Sequence, residues 1–130
     1  MNYALANDAE LLRDVYKRQE PDSPSYLIQS WLRSRNTIEF LGEWERNNNK
    51  GFNEEAFQKL LKDVRSPSYT LTPKRWTETV NAIGIESKRG KNGGTMAHPF
   101  IACDFEMWND MQFRYEVLKY FVSLRVELEN

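Results

Sequence analysis

Apolar positions recur at helical spacing over most of this chain and give way to a β-like run in one region only. In "SPSYLIQSWLRSR", Tyr26, Leu27, Trp31 and Leu32 share one side, behind Ser23 as N-cap and Pro24 at the first helical position. "NTIEFLGEWERNNNKG" predicts a second helix. Ile38, Phe40, Leu41 and Trp44 form its apolar side, Asn36 and Glu39 stand in capping-box register, and "NNNKG" ends it. "NEEAFQKLLKDV" is a third amphipathic helix, acidic at its start as the helix dipole prefers, and the polar turn "RSPSYT" follows. In "LTPKRWTETVNAIGI", Thr72 caps and Pro73 begins a helix over 72–83, with Trp76, Val80 and Ile83 facing inward. Lys74 and Arg75 fall in its first turn, where the dipole disfavours cations by up to about 1 kcal/mol. Broken local rules tend to mark function, yet two solvated cations in salt cost almost nothing, and the pattern leaves both readings open.

Beyond that helix the period changes. "AIGIES" is β-like, "TMAHP" can return antiparallel to it, and "KRGKNGG" supplies the glycines and asparagine of a turn. The expectation is a basic hairpin over 84–97 with Lys88, Arg89 and Lys91 at its tip. His98 or a neighbour then caps a last helix that starts at Pro99 and is broken near Asn109 and Asp110. Phe105, Trp108, Phe113, Val117, Leu118, Phe121 and Leu124 of that helix read as core and packing seam. The N-terminus is different in kind. "MNYALANDAELLRDVYKRQ" reads as a weak polar helix that stops at "EPDSPS". Its "DVYKRQ" coincides with the translation of one frame of a common sequencing-adapter sequence. Residues 1–19 carry the mark of an assembly artefact and are set aside from fold reasoning.

Composition narrows the class. With 130 residues, 40% apolar and 13% aromatic, the chain suits one globular domain with a real core. A single cysteine excludes an internal disulfide framework and suits a reducing cytosol. No apolar run approaches membrane-spanning length, and the start lacks the basic and apolar parts of a signal peptide, so the expectation is a soluble, cytoplasmic protein. Net charge is −1, but residues 65–98 hold six cations against two anions, a local +4 that leaves −5 on the rest. A domain so divided can present a basic face to a polyanion, although solvated charges can also be unevenly spread for no reason.

Candidate chemistry is sparse. "GKNGGT" lacks the spacing and the closing Gly-Lys-Ser/Thr of a nucleotide P-loop, and no dinucleotide fingerprint occurs. His98 and Cys103 lie five apart and suggest a nucleophile–base pair, but no third group is recognisable and Cys103 sits in an apolar helical run, as a packed thiol does. One His and one Cys make no zinc site without carboxylates. Glu39, Glu43 and Glu45 offer ligands to a hard cation, and on a surface helix such residues face solvent. The expectation is no enzyme, no cofactor and no metal. A metal-dependent nuclease built on the Glu residues is a distant alternative.

Helix, turn, helix and basic hairpin, in that order, describe a winged helix-turn-helix: an α+β, mostly helical domain with one β-hairpin wing. "SWLRSRNTIEFLGEWE", "SYTLTPKRWTETVNAIGIESK" and "GGTMAHPFIACDFEMW" resemble the KilA-N domain of bacteriophages, large DNA viruses and bacteria, which is similar to the fungal APSES DNA-binding domain. The likeness runs from about Pro24 to Leu124. It gives a domain over 20–124 and a helix end or connector over 125–130, and it departs at the N-terminus, where the family has a short strand and a first helix. It implies duplex DNA as partner, in a phage or prophage regulatory or accessory protein. By position it implies phosphate contacts from Lys88, Arg89, Lys91, Asn92 and the amides around Gly93 and Gly94. Groove contacts would come from Lys74, Arg75, Thr77, Glu78 and Asn81, and secondary contacts from Arg33, Arg35 and Asn36, the last of which also reads as a helix cap. Relatives often carry a further domain after this one. The rival reading is a protein-interaction module whose aromatic last helix dimerises or docks a partner helix.

Overall fold

A computed structural model describes residues 25–88 and 94–129 of the chain. In chain order it contains α1 (Ser25–Leu32), α2 (Arg35–Asn48), α3 (Glu54–Asp63), α4 (Pro73–Val80), β1 (Ile85–Lys88), β2 (Gly94–Ala97), α5 (Pro99–Asn109) and α6 (Met111–Glu129). The two strands form an antiparallel pair in the register Ile85↔Ala97 to Lys88↔Gly94. Helices around one small sheet make the fold α+β, as the pattern of periods predicts. The cap and start expected at Ser23 and Pro24, the helix expected at the N-terminus and the turn expected from Arg89 to Gly93 lie outside the described residues.

One core joins α1 to α5 and the first strand. Ile28, Trp31 and Leu32 enter it from α1, Ile38 and Leu41 from α2, and Phe57, Leu60 and Leu61 from α3. Trp76 and Val80 of α4, Ile85 of β1, and Ile101 and Phe105 of α5 complete it. Gly42 faces Phe57 so closely that a Cβ would overlap its ring, so the absence of a side chain lets α3 lie against α2. Trp76 then meets Phe57 edge-on, with centroids 6.0 Å apart and planes at 82°. This geometry suits ring quadrupoles and fixes α4 on α3. Across the core, Trp31 meets Phe105 in the same manner, and its Nε1 donates to Asp104 Oδ2 at 3.0 Å.

Helix ends follow the residues that can satisfy them, with one exception. Asn53 Oδ1 accepts from Ala56 N at 3.0 Å, and Thr72 Oγ1 accepts from Arg75 N at 3.1 Å. His98 Nδ1 accepts from Phe100 N at 3.2 Å, with Pro99 next. Asp110 Oδ1 accepts from Phe113 N at 3.1 Å, which restarts the chain as α6 after the break foreseen there. The exception is α2. Its N-cap is Ser34, without a side-chain cap bond, so Asn36 and Glu39 form no capping box: Asn36 lies inside the helix and Glu39 pairs with Arg35 instead. Tyr26 also faces solvent, and Ile28 takes the inward position on α1.

The last helix departs most from expectation. Phe113 is buried with Ala102 in a small satellite cluster that Val117 flanks. Trp108, Leu118 and Phe121 are exposed, not core, and so are Tyr115, Val122, Val126 and Leu128. Helical periodicity marks an apolar face but does not say whether the fold supplies a surface to cover it.

Candidate nucleic-acid interface

The region singled out by charge is built around the end of α4 and the start of the hairpin. Helix α4 ends after Val80 because Asn81 adopts the left-handed conformation, with φ 57° and ψ 47°. Asparagine tolerates that region better than most residues. The predicted helix over 72–83 is thus shorter, and Ile83, expected inward, is 60% exposed. Asn81 is held on two sides: its Nδ2 donates to Gly51 O at 2.9 Å, and its carbonyl accepts from Asn49 Nδ2 at 2.8 Å. Asn53 N also donates to Val80 O at 2.9 Å. The "NNNKGFN" loop is therefore a clasp on the end of α4 as well as a helix stop.

Glu45 positions the next turn of chain. It is fully buried, and both of its oxygens accept backbone N–H bonds: Oε1 from Ile83 at 2.9 Å and Oε2 from Gly84 at 2.7 Å. Asn49 Nδ2 adds a third bond to Oε1 at 2.8 Å. This carboxylate, expected to face solvent, instead clamps α2 to the bend that launches the hairpin. Gly84 is required there, since a Cβ would come within 2.5 Å of Ile101 Cδ1 and 2.8 Å of Glu45 Oε2. Gly84 O accepts from His98 N at 2.9 Å, and Thr77 Oγ1 donates to Ile85 O at 3.2 Å. The hairpin is thereby fixed to α2, α4 and the start of α5.

What α4 shows to solvent is polar. Trp76 and Val80 are buried, while Lys74, Arg75, Glu78 and Asn81 are exposed. Lys74 Nζ lies 4.0 Å from Glu78 Oε1. Arg75 Nη1 donates to Thr70 O at 2.9 Å, and its guanidinium stands 5.1 Å over the Tyr69 ring. The family resemblance implies five groove contacts from this segment. The structure keeps Lys74, Arg75 and Glu78 available, whereas Thr77 and Asn81 hold neighbouring segments in place. Gly94 pairs with Lys88 in the sheet, while Arg89, Lys91, Asn92, Gly93 and the Lys88 side chain lie outside the described residues. Arg33 and Arg35 are both exposed; Arg35 is paired with Glu39 at 3.3 Å, and Arg33 is separate from it on the α1–α2 turn. Arg75 is thus drawn to the α3–α4 connection, residues 64–72, which is longer than the three- or four-residue turn of a compact helix-turn-helix.

The other chemical candidates separate in space or lose their reactive form. His98 uses Nδ1 as the α5 cap, and partial burial holds it below the ordinary histidine range. Burial, followed by the nearby Asp104 and Glu106 carboxylates, pushes the Cys103 thiol up to about 11, so it is a protonated, packed thiol at neutral pH. Among the described residues no group of three His, Cys, Asp or Glu is placed to hold a metal ion. No helix among them is long and apolar enough to cross a membrane.

The structure is an α+β domain in which α4 carries exposed Lys74 and Arg75 in its first turn and the clamped hairpin leaves the bend after its last. The chain belongs to the KilA-N family: the KilA-N domain matches residues 17–126. KilA-N domains are generally DNA-binding, and that membership supports DNA as the partner. No curated protein and no solved structure matches the chain.

Proposed function

We propose that this chain binds duplex DNA through α4 and the hairpin in a winged helix-turn-helix-like manner, as a phage or prophage regulatory or accessory protein. The observation that carries the reading is the Glu45 clamp. A buried carboxylate that fixes the base of a short, two-stranded hairpin makes sense where the hairpin must be held at a set angle to its neighbour helix. Lys74 and Arg75 at the start of α4 and Lys88, Arg89 and Lys91 along the hairpin sequence then supply about five cations to backbone phosphates. Glu78 faces the same side as Lys74 and is a candidate acceptor for a cytosine amino group. Thr77 and Asn81 act as supports. No step of the reading uses catalysis or a cofactor.

Fluorescence anisotropy of a labelled duplex, titrated at several salt concentrations, tests it. The log affinity is expected to fall with log salt at a slope of roughly −4 to −5, about 0.9 per phosphate neutralised. A folded sample that does not bind at low salt would overturn the proposal. A second reading, a protein-docking surface, is favoured by the exposed Tyr115, Leu118, Phe121, Val122, Val126 and Leu128 on α6.

A further inference from the structure

The turn between α1 and α2 and the connection between α3 and α4 enclose an open cleft of about 380 Å³. Its walls include Leu32, Arg33, Arg65, Ser66, Tyr69 and Thr70, and no acidic residue lines it. Three cations among the described residues are held by carboxylates: Arg35 by Glu39, Arg46 by Glu43 and Glu54, and Lys74 by Glu78. Arg33 and Arg65 are exposed, and neither side chain has an ion-pair partner among the described residues. Two arginines brought to one cleft from segments about thirty positions apart in the chain, without a carboxylate between them, suit an anion with several acceptor oxygens.

The cleft is also joined to α4. Thr70 and Tyr69 form part of its wall, and Arg75 reaches back to them through its hydrogen bond to Thr70 O and its position over the Tyr69 ring. Arg75 thus links the Arg33–Arg65 cleft to the first turn of α4. That link also gives a physical reason for a cation at this helix start: Arg75 is anchored on the wall of the neighbouring cleft.

We propose that the Arg33–Arg65 cleft binds backbone phosphodiesters of the same nucleic acid, extending the contact beyond α4 and the hairpin. The inference rests on the DNA-binding reading above. Both guanidinium groups can present paired N–H donors to phosphate oxygens, and neither must give up an existing ion pair to do so.

Salt-dependent anisotropy with the full chain separates the two ideas. Arg33→Ala/Arg65→Ala is compared with the parent and with Arg33→Lys/Arg65→Lys, each with its thermal midpoint measured to establish folding. The alanine pair is expected to reduce the magnitude of the log–log slope by about 1 to 2 and to weaken binding about tenfold near 0.1 M salt, on duplexes of any sequence. The lysine pair should keep the parental slope, because it keeps the charge. A parental protein that binds, with an alanine pair of unchanged slope, overturns the cleft proposal and leaves DNA binding standing. Equal loss of slope in both pairs also overturns it, as a packing effect. Inorganic phosphate that saturably shifts the Arg33 and Arg65 side-chain resonances while the duplex slope stays unchanged in the alanine pair would assign the cleft to a free anion instead. Failure of the parent to bind duplex at the lowest salt removes the underlying reading, and the cleft proposal with it.

Discussion

Glu45→Ala is expected to lower the unfolding free energy by about 3–4 kcal/mol, measured by urea denaturation. The substitution leaves the Ile83 and Gly84 amides without their acceptor and frees Asn49 Nδ2. Bonds to a charged acceptor contribute about 1.5–3 kcal/mol each, and an unsatisfied buried donor is penalised by about 1–3 kcal/mol. Water entering the vacated space recovers part of that sum, which is why the expected loss falls well below it. Glu45→Gln keeps one acceptor oxygen and should lose roughly half as much. For a domain whose whole stability is about 5–15 kcal/mol, the alanine change is severe. A loss below about 1 kcal/mol would mean that the clamp does not hold the hairpin base.

The triple change Lys88→Ala, Arg89→Ala and Lys91→Ala should act on binding and not on folding. Lys88 ends β1 and Arg89 and Lys91 follow it in sequence, while the core of the hairpin base includes Ile85. Three phosphate contacts removed should shrink the log–log salt slope by about 2.7 and weaken binding by roughly two orders of magnitude at 0.1 M salt. Unchanged affinity and slope, with an unchanged melting curve, would take the hairpin out of the interface and leave α4 alone to explain binding.

Most helices were legible because their ends carry chemistry that acts locally. Asn53, Thr72 with Pro73, His98 with Pro99, and the break at Asp110 are all visible as caps or starts, and the structure uses them so. The hairpin was legible from its glycines and the change of period. What stayed hidden depends on partners distant in sequence. Glu45 looks like any glutamate of a charged helix until Ile83 and Gly84, thirty-eight and thirty-nine positions away, present their amides to it. Asn81 looks like a polar residue at a helix end; only its φ and its bond to Gly51 O, thirty positions back, reveal a clasp. Arg65 was counted as a cation but not placed in the site, because its cleft exists only when the α1–α2 turn and the α3–α4 connection come together. The exposure of Leu118 and Phe121 was hidden for the opposite reason, as the pattern cannot say which apolar face lacks a covering surface.

The most direct test of the account is the map of backbone amide resonances of the chain titrated with an unlabelled duplex, since it reports every segment at once. Shifts are predicted at 65–75, through the exposed side of α4 and along the hairpin from 85 to 97, with α6 beyond Val117 unchanged. Shifts confined to α6, or none under low-salt conditions, would contradict DNA binding by α4 and the hairpin and favour a protein-docking role for the last helix.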